Sequence, residues 1–484
     1  MCSSSLAFRP PRPTPQPQPL GPIALLNALR RNPLECWSRQ HFEQPIVFGG
    51  LPLARVVLVS DPAAIGKVLV EDAHHYRKSA LERRILSPRL RNGLVAVESE
   101  QWSSQRRTLA PLLGRKAVMQ FAPAMADAVT ALVQRWHDGA QNDVLEIRSE
   151  MSALALDCLA RSIFHHGFGG DADNMRAAMA SFFASGGRID LFDIIGLPDF
   201  IPRVSHLRVR RLLRAFDEYL AAAIAERQTK FAENPAAAPR DLLGILLAAR
   251  DPETGKCMSE AEVKANVFTF FLAGQETTST ALTWAIYLLS QSQEWQERVR
   301  AESERELETP EAVVDRLVET RAVHDEAMRL YPPIVGITRT ADRTDELGGH
   351  SIERGTLVVI SPYVLHRHRM LWDDPDTFDP SRFLPGAPRR INRYAYLPFG
   401  IGPRMCIGAG FALHQATLAL ASIVRDFTLA LAPGQSVWPL LRFTLRPRDP
   451  LLIIAKARNW EGTSHAWQSP REETAGACSP AHSF

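Results

Sequence analysis

The chain has 484 residues, enough to bury a large core, and carries 56 Lys and Arg against 53 Asp and Glu. A formal charge of +3 is too balanced to favour a nucleic-acid scaffold, so we expect no nucleic-acid partner. The six cysteines include no Cys-x-x-Cys pair and no regular spacing, which argues against a zinc site or a disulfide framework. This cysteine pattern indicates a reduced, cytoplasmic protein.

The N-terminal segment predicts neither export nor membrane insertion. Residues 1–8 lack the basic and apolar parts of a signal peptide, and residues 10–22 alternate proline with polar residues, which indicates an extended leader. No stretch reaches 18 uninterrupted apolar residues, so we predict no membrane span. We predict three parts: a Pro-rich leader over residues 1–40, one catalytic domain over 41–457, and a disordered tail over 458–484.

Helical periodicity dominates the middle of the chain. Residues 45–60 predict two strands around a turn, and Asp61-Pro62 then begins a helix. Short strands (337–340, 356–361), a helix over 406–425 and two further strands (427–431, 451–454) close the fold. Apolar residues three or four apart predict helices over 99–113, 117–137, 145–165, 203–231 and 259–291. The pattern is that of a mainly α protein with small β-sheets (α+β).

The strongest local signal surrounds one cysteine. Phe399, Gly402, Arg404, Cys406 and Gly408 follow the spacing Phe-x-x-Gly-x-Arg-x-Cys-x-Gly. Glycines let the backbone approach a flat cofactor closely, and a helix that begins at the cysteine directs N–H groups at the sulfur, so this thiol should ionise readily. The alternative is that Cys406 is a small buried apolar residue, as most isolated cysteines are.

This loop resembles the haem-binding loop of the cytochrome P-450 family. The resemblance implies the family's triangular, helical haem-thiolate fold, with a long central helix over the haem. It also implies haem b as the cofactor and Cys406 as the axial ligand to the iron, whose electron-rich thiolate promotes O–O cleavage.

A second motif contains Glu326 and Arg329, three residues apart and so on one helix face, followed by Arg382 in a Pro- and Asp-rich stretch. By itself such an acid–base pair is a common surface pair. In the family, the counterparts of these three residues form one buried network that holds the cysteine loop, a structural role.

A third motif, residues 273–278, lies in the middle of the longest predicted helix. Small Ala273 and Gly274 would leave room for a ligand, while Glu276 and Thr277 supply an acid and a hydroxyl that could relay protons. The alternative is a threonine bonded to its own helix and a glutamate paired elsewhere. The motif resembles the oxygen-activation motif of the same family, which implies catalytic roles for Thr277 and Glu276.

Haem propionates need cationic partners, and arginine binds carboxylates through paired N–H groups. By position, the candidates that match the family's propionate contacts are Trp102, Arg106, Arg339 and Arg404, whereas Arg107 is expected on the outer face. Each residue alone would ordinarily be a solvated surface group.

Together these motifs predict a monooxygenase that inserts one oxygen atom of O2 into an apolar organic substrate, by hydroxylation or epoxidation. Electrons would come from a separate ferredoxin or flavodoxin with an NAD(P)H-dependent reductase, which a basic patch would attract. The patch residues are Lys116, Arg389, Arg390 and Arg393.

The substrate pocket is predicted to be lined by three apolar ranges, 77–97, 182–204 and 334–338. Fatty acid, terpene, steroid and aromatic substrates remain open. So do a peroxygenase or isomerase of the same fold and a non-catalytic haem sensor or carrier.

Overall fold

The structure is a computed structural model that describes residues 8–51, 54–79, 82, 92–139, 144–164, 204–233, 241–307 and 313–458. The predicted tail, apart from Arg458, and parts of the predicted pocket ranges (80–81, 83–91 and 182–203) lie outside the described residues. None of the helices in the described ranges combines the length and the apolar character that crossing a bilayer requires.

Helices make up most of the described chain. In chain order they are α1 (Pro22–Arg31), α2 (Pro62–Gly66), α3 (Ser99–Leu109), α4 (Arg115–Met119), α5 (Ala122–Asp138), α6 (Ile147–Ile163), α7 (Val204–Glu233), α8 (Leu242–Ala248), α9 (Glu260–Ser290), α10 (Gln293–Glu306), α11 (Val313–Arg316), α12 (Val318–Leu330), α13 (Pro362–Leu365) and α14 (Ala409–Asp426). The helix predicted over 117–137 is divided into α4 and α5, because Pro123 lies in the first turn of α5, where proline begins a helix.

The strands form small sheets at the edge of the helical body. They are β1 (Ile46–Leu51), β2 (Ala54–Val59), β3 (Tyr76–Lys78), β4 (Val144–Glu146), β5 (Ile337–Ala341), β6 (Asp345–Leu347), β7 (His350–Ile352), β8 (Leu357–Ile360), β9 (Phe427–Leu431), β10 (Pro439–Leu441), β11 (Leu445–Pro447) and β12 (Leu452–Ala457). The largest sheet has the order β1-β2-β8-β5-β3, in which only β2 and β8 pair in parallel. A three-stranded sheet has the order β4-β12-β9, and β10 pairs with β11 in a hairpin.

Helix α9 is the central element of the core. Its 31 residues correspond to about 46 Å of helix, and a capping box of Ser259 and Glu262 begins it. The ring of Trp284 on this helix stacks on Tyr331 at the end of α12, with centroids 3.8 Å apart. Side chains on nearly every face of α9 are buried, but Ala273 is exposed and Thr277 is half-buried. In its middle, the helix therefore borders open space near these two residues.

The N-terminal segment packs against the catalytic domain. The Phe8 carbonyl accepts a hydrogen bond from the Phe378 N–H at 3.0 Å, and the Pro11 carbonyl accepts one from the Tyr331 hydroxyl at 2.7 Å. Arg12 pairs with Asp376 at 2.6 Å. The segment thus covers the C-terminal end of α12, and the boundary that we predicted at residue 40 stays a prediction.

Glu326 and Arg329 form a buried ion pair on α12. Both side chains have no solvent exposure, and their two hydrogen bonds measure 2.6 and 2.8 Å. The remaining N–H groups of Arg329 donate to the carbonyls of His366, Pro375 and Thr377 at 2.7 to 3.0 Å. The structure thus brings the predicted network together. Arg382 joins it with its Nε 3.7 Å from Oε1 of Glu326.

We predict that Arg329→Met lowers the free energy of unfolding by about 3–5 kcal/mol, because it leaves the Glu326 carboxylate buried without its cation. The matched control is Arg300→Met, which removes the partner of Glu297 and Glu304 on the partly exposed side of α10 and should cost less than about 1 kcal/mol. Urea-unfolding midpoints followed by circular dichroism make the comparison. Equal, small losses in both variants would contradict the assignment.

Candidate functional site

The loop that carries Cys406 is held by its own backbone. The N–H of Cys406 donates to the carbonyl of Phe399 at 2.8 Å, and the N–H of Met405 donates to the carbonyl of Gly402 at 3.0 Å. Gly402 has a φ of +78°, which disfavours any residue with a side chain, and a Cβ there would overlap the carbonyl oxygen of Leu69. Glycine at position 402 is therefore required by both conformation and space.

Gly408 has a different role from Gly402. Its φ is −90°, and a Cβ at this position would meet no atom within 4 Å. Helix α14 begins at Ala409, with Gly408 as its N-cap residue, so our prediction of a helix that begins at Cys406 was three residues early. The backbone N–H of Gly408 nevertheless interacts with the Cys406 sulfur, as expected for a residue just before a helix.

The surroundings of the Cys406 thiol raise its pKa on balance. Burial raises its pKa, while the hydrogen bond from Gly408 and the nearby cation of Arg106 act in the opposite direction. Our expectation of a lowered pKa was wrong for the metal-free thiol, because desolvation outweighs the favourable dipole and charge. Although protein atoms surround the residue densely, it keeps accessible surface of its own.

A cluster of charged side chains lies beside the cysteine loop. The guanidinium of Arg404 stacks on Trp102, 3.9 Å from the ring centroid, and donates to the Val97 carbonyl at 3.2 Å. Burial lowers the pKa of Arg404 to about 10, although Glu98 counteracts this effect. The charged members of the cluster are Lys78, Glu82, Glu98, Arg106, Arg339 and Arg404.

Four cations against two carboxylates leave this cluster with two excess positive charges. Burial lowers the pKa of Lys78, Arg106 and Arg339 as well, which marks all three as cations that lack full compensation. Within the described chain, Arg106 forms no ion pair with a carboxylate, and Arg339 has only Glu82, 3.7 Å away. Such a cluster fits a ligand that carries two negative charges.

The structure brings the four predicted propionate residues together and adds one that the sequence did not reveal. Lys78, at the end of β3, is only 9% exposed and donates to the carbonyl of Val95. No motif surrounds it, and only the pairing of β3 with β5, which aligns it with Arg339, brings it to the site. Arg107 pairs with Asp251 at 2.9 Å, away from the cluster as expected.

The central helix presents two different faces at the third motif. Exposed Ala273 and half-buried Thr277 lie one turn apart, and the hydroxyl of Thr277 donates to the carbonyl of Ala273 at 2.6 Å. Gly274 faces away from them, because a Cβ on it would lie 3.1 Å from Cδ1 of Leu159 on α6. Our prediction that Gly274 leaves room for a ligand was therefore wrong: its small size serves the packing of α9 against α6.

Glu276, three residues after the exposed Ala273, is buried. Its Oε1 accepts a hydrogen bond from the Thr444 hydroxyl at 2.8 Å and lies 3.6 Å from Nη2 of Arg148. Both contacts of the third motif therefore match the alternative stated above, a threonine bonded to its helix and a glutamate paired elsewhere. These contacts leave the Thr277 hydroxyl and the Glu276 carboxylate able to take part in proton transfer.

A model of the cytochrome P450 family matches residues 10–455. The chain belongs to this family. Cyclooctatin synthase of Streptomyces melanosporofaciens is 33% identical over 91% of this chain and 94% of its own length. Cyclooctat-9-en-7-ol 5-monooxygenase of the same organism is 30% identical over 86% and 90%. The crystal structure of the cytochrome P450DA haem domain superposes with a TM-score of 0.77 at 26% identity, covering 93% of this chain and 98% of that one.

These similarities confirm the predicted fold class and the predicted enzyme class, a cytochrome P450 monooxygenase with haem b as its cofactor. The donor set agrees with that cofactor. One cysteine sulfur lies in a glycine-containing loop beside four cations, and the two excess positive charges match the two propionates of haem b.

We predict that Gly402→Ala lowers the yield of haem-loaded protein by about tenfold or more, because the new Cβ combines a strained φ with overlap against Leu69. Gly434→Ala is the matched control: its φ is also +78°, but no atom lies within 4 Å of the new Cβ. The ratio of haem absorbance to protein absorbance after purification measures the effect. If both variants load haem equally, the contact with Leu69 is not what requires glycine.

Proposed function

We propose that the sulfur of Cys406 would hold the iron of a haem b, and that Arg106, Arg339, Arg404 and Lys78 would hold its propionates. The observation that carries the proposal is the uncompensated cation cluster beside the cysteine loop. Bound haem would supply the activation of O2, with the thiolate promoting O–O cleavage. Trp102 supports the guanidinium of Arg404, while Phe399, Gly402 and Gly408 fix the direction of the sulfur.

We propose roles in O2 activation for three residues of α9: Ala273, Glu276 and Thr277. Ala273 leaves room next to the helix, and the Thr277 hydroxyl, already oriented by its own helix, can hold a proton or a water molecule there. Glu276 would exchange protons with solvent past Arg148, whose side chain is 33% exposed. Glu326, Arg329 and Arg382 act only by fixing the chain segment that leads to Cys406.

The substrate is proposed to be an apolar, alicyclic compound of the terpenoid type, oxygenated at a C–H or C=C bond. Two observations support this class. A relative at 30% identity is, by its name, a monooxygenase of the unsaturated alcohol cyclooctat-9-en-7-ol. In addition, Ile334, inside a predicted pocket range, is an apolar residue that is 43% exposed.

Electrons are proposed to arrive from a separate acidic ferredoxin or flavodoxin, with its NAD(P)H-dependent reductase, in the cytoplasm. Arg390 and Lys116 are exposed and form no ion pair within the described chain, whereas Arg389 pairs with Asp373 at 2.9 Å. Lys116 lies on α4, and Val118 of that helix faces Gly410 at the start of α14. Exposed Met405, next to Cys406, offers an apolar contact in the same region.

The test of this function is the absorption spectrum of the reduced, CO-bound protein. We expect the red-shifted band of a thiolate-ligated haem in the native protein and in Cys257→Ser, a change at another exposed, free cysteine, but not in Cys406→Ser. Titration with terpene alcohols, fatty acids and steroids should then give a spin-state change with the first class. Turnover that needs only hydrogen peroxide would instead favour the peroxygenase alternative.

We further predict that electron transfer from an acidic ferredoxin slows by about tenfold or more as ionic strength rises from about 0.01 M to about 1 M, because the Debye length falls from about 30 Å to about 3 Å. Arg390→Gln should lower the rate at low salt. Arg354→Gln, in the turn between β7 and β8, should leave it unchanged. A rate independent of salt would remove the basic patch from the proposal.

A further inference from the structure

We propose that Thr444, in the turn between β10 and β11, is a positioning residue for the carboxylate of Glu276. The inference rests on the proton-exchange role proposed above for Glu276. Thr444 lies 164 to 168 residues along the chain from its partners on α9, so no sequence motif connects them.

The hydroxyl of Thr444 has no solvent exposure and is held between two side chains of α9. It lies 3.2 Å from the Thr280 hydroxyl and donates to Oε1 of Glu276 at 2.8 Å. Because a hydroxyl has a single proton to donate, Thr280 must be the donor in the first contact. The three groups therefore form a directed chain, Thr280 to Thr444 to Glu276.

The turn that carries Thr444 is anchored to the core through both backbone groups of the next residue, Leu445. The indole N–H of Trp284, on the same face of α9 as Thr280, donates to the Leu445 carbonyl at 2.7 Å. The Leu445 N–H donates to the Pro333 carbonyl at 3.0 Å. Since these bonds fix the backbone next to Thr444, its hydroxyl meets the carboxylate from one direction only.

The contacts of Glu276 are unequal between its two oxygens. Thr444 and Arg148 both contact Oε1, whereas Oε2 has no hydrogen-bond partner among the described residues. The other charged groups around the carboxylate are Arg446 on β11 and, beyond it, Arg442. Burial lowers the pKa of Arg446, repulsion by Arg148 and Arg442 adds to this, and Glu276 counteracts it.

A purely structural threonine in this place would need only volume, which valine supplies. The hydroxyl instead occupies Oε1 and leaves Oε2 as the oxygen that can accept and release a proton. Without the hydroxyl, the carboxylate would be held by Arg148 alone, through a longer contact to a partly exposed side chain. The Glu276 carboxylate would then turn toward Arg148 and solvent. It would no longer be oriented to deliver protons to the side of the site where O2 would bind.

The experiment compares Thr444→Val, Thr444→Ser and a control, Thr283→Val, in the haem-loaded enzyme with substrate and redox partners. Thr283 is also buried, but its hydroxyl donates to the Ser279 carbonyl of its own helix. We expect Thr444→Val to lower the ratio of product to hydrogen peroxide by about tenfold, which is the size of one hydrogen bond to a charged group. It should also enlarge the solvent isotope effect on product formation. Thr444→Ser should restore both values, and Thr283→Val should leave both unchanged.

A double-mutant cycle with Glu276→Gln separates the two proposals. If Thr444 acts through Glu276, adding Thr444→Val to Glu276→Gln changes the product ratio no further. If the two effects multiply, Thr444 acts elsewhere and the positioning role is wrong. If Glu276→Gln alone leaves the ratio and isotope effect unchanged, the proton-exchange role of Glu276 is itself wrong. The CO-bound spectrum and the unfolding midpoint of each variant show whether the fold is intact.

Discussion

The buried guanidinium of Arg329 is the constraint on which the site depends. A buried charge is tolerated only when it is paired and its donors are satisfied, and here one carboxylate and three carbonyls do so. One of those carbonyls belongs to His366, whose Nε2 accepts from the Leu397 N–H at 2.8 Å. Burial, and to a smaller extent repulsion by nearby arginines, lower the pKa of His366 to about 3. The ring therefore stays neutral and can accept a hydrogen bond. A chain of hydrogen bonds thus connects α12 to the segment that continues into the cysteine loop.

Two kinds of buried charge coexist in this fold, and they differ in compensation. The Glu326 and Arg329 pair is complete within the chain, so it stabilises one geometry whether or not a cofactor is bound. The cluster around Arg404 keeps an excess of positive charge, which a folded protein holds only at a cost that an anionic ligand offsets. The first network therefore holds the segment that leads into the cysteine loop, and under the proposed assignment the second would couple folding to haem binding.

The sequence was sufficient for those parts of the site in which spacing alone carries the chemistry. The loop around Cys406 and the pair Glu326 and Arg329 depend on residues only a few positions apart, and glycine, arginine and cysteine have distinct physical roles there. Lys78 and Thr444 could not be found in this way, because strand pairing and a hairpin bring them to the site across long stretches of chain. The prediction of a low pKa for Cys406 was wrong for a related reason. A helix terminus can be predicted from the sequence, whereas desolvation of the thiol depends on the whole fold.

Helix geometry explains why one turn of α9 can serve two environments. Successive residues of a helix are separated by about 100°, so Glu276 and Thr277 must point in different directions, while residues four apart share a face. Thr277 accordingly follows Ala273 in one i, i+4 row, and Glu276 lies with Thr280 and Trp284 in the neighbouring row, which meets the β10–β11 hairpin. The acid is thus buried and paired within one residue of a hydroxyl that borders open space. The proposed proton exchange between the two would need only side-chain rotation or a bridging water, because the backbone between them is fixed in a largely buried helix.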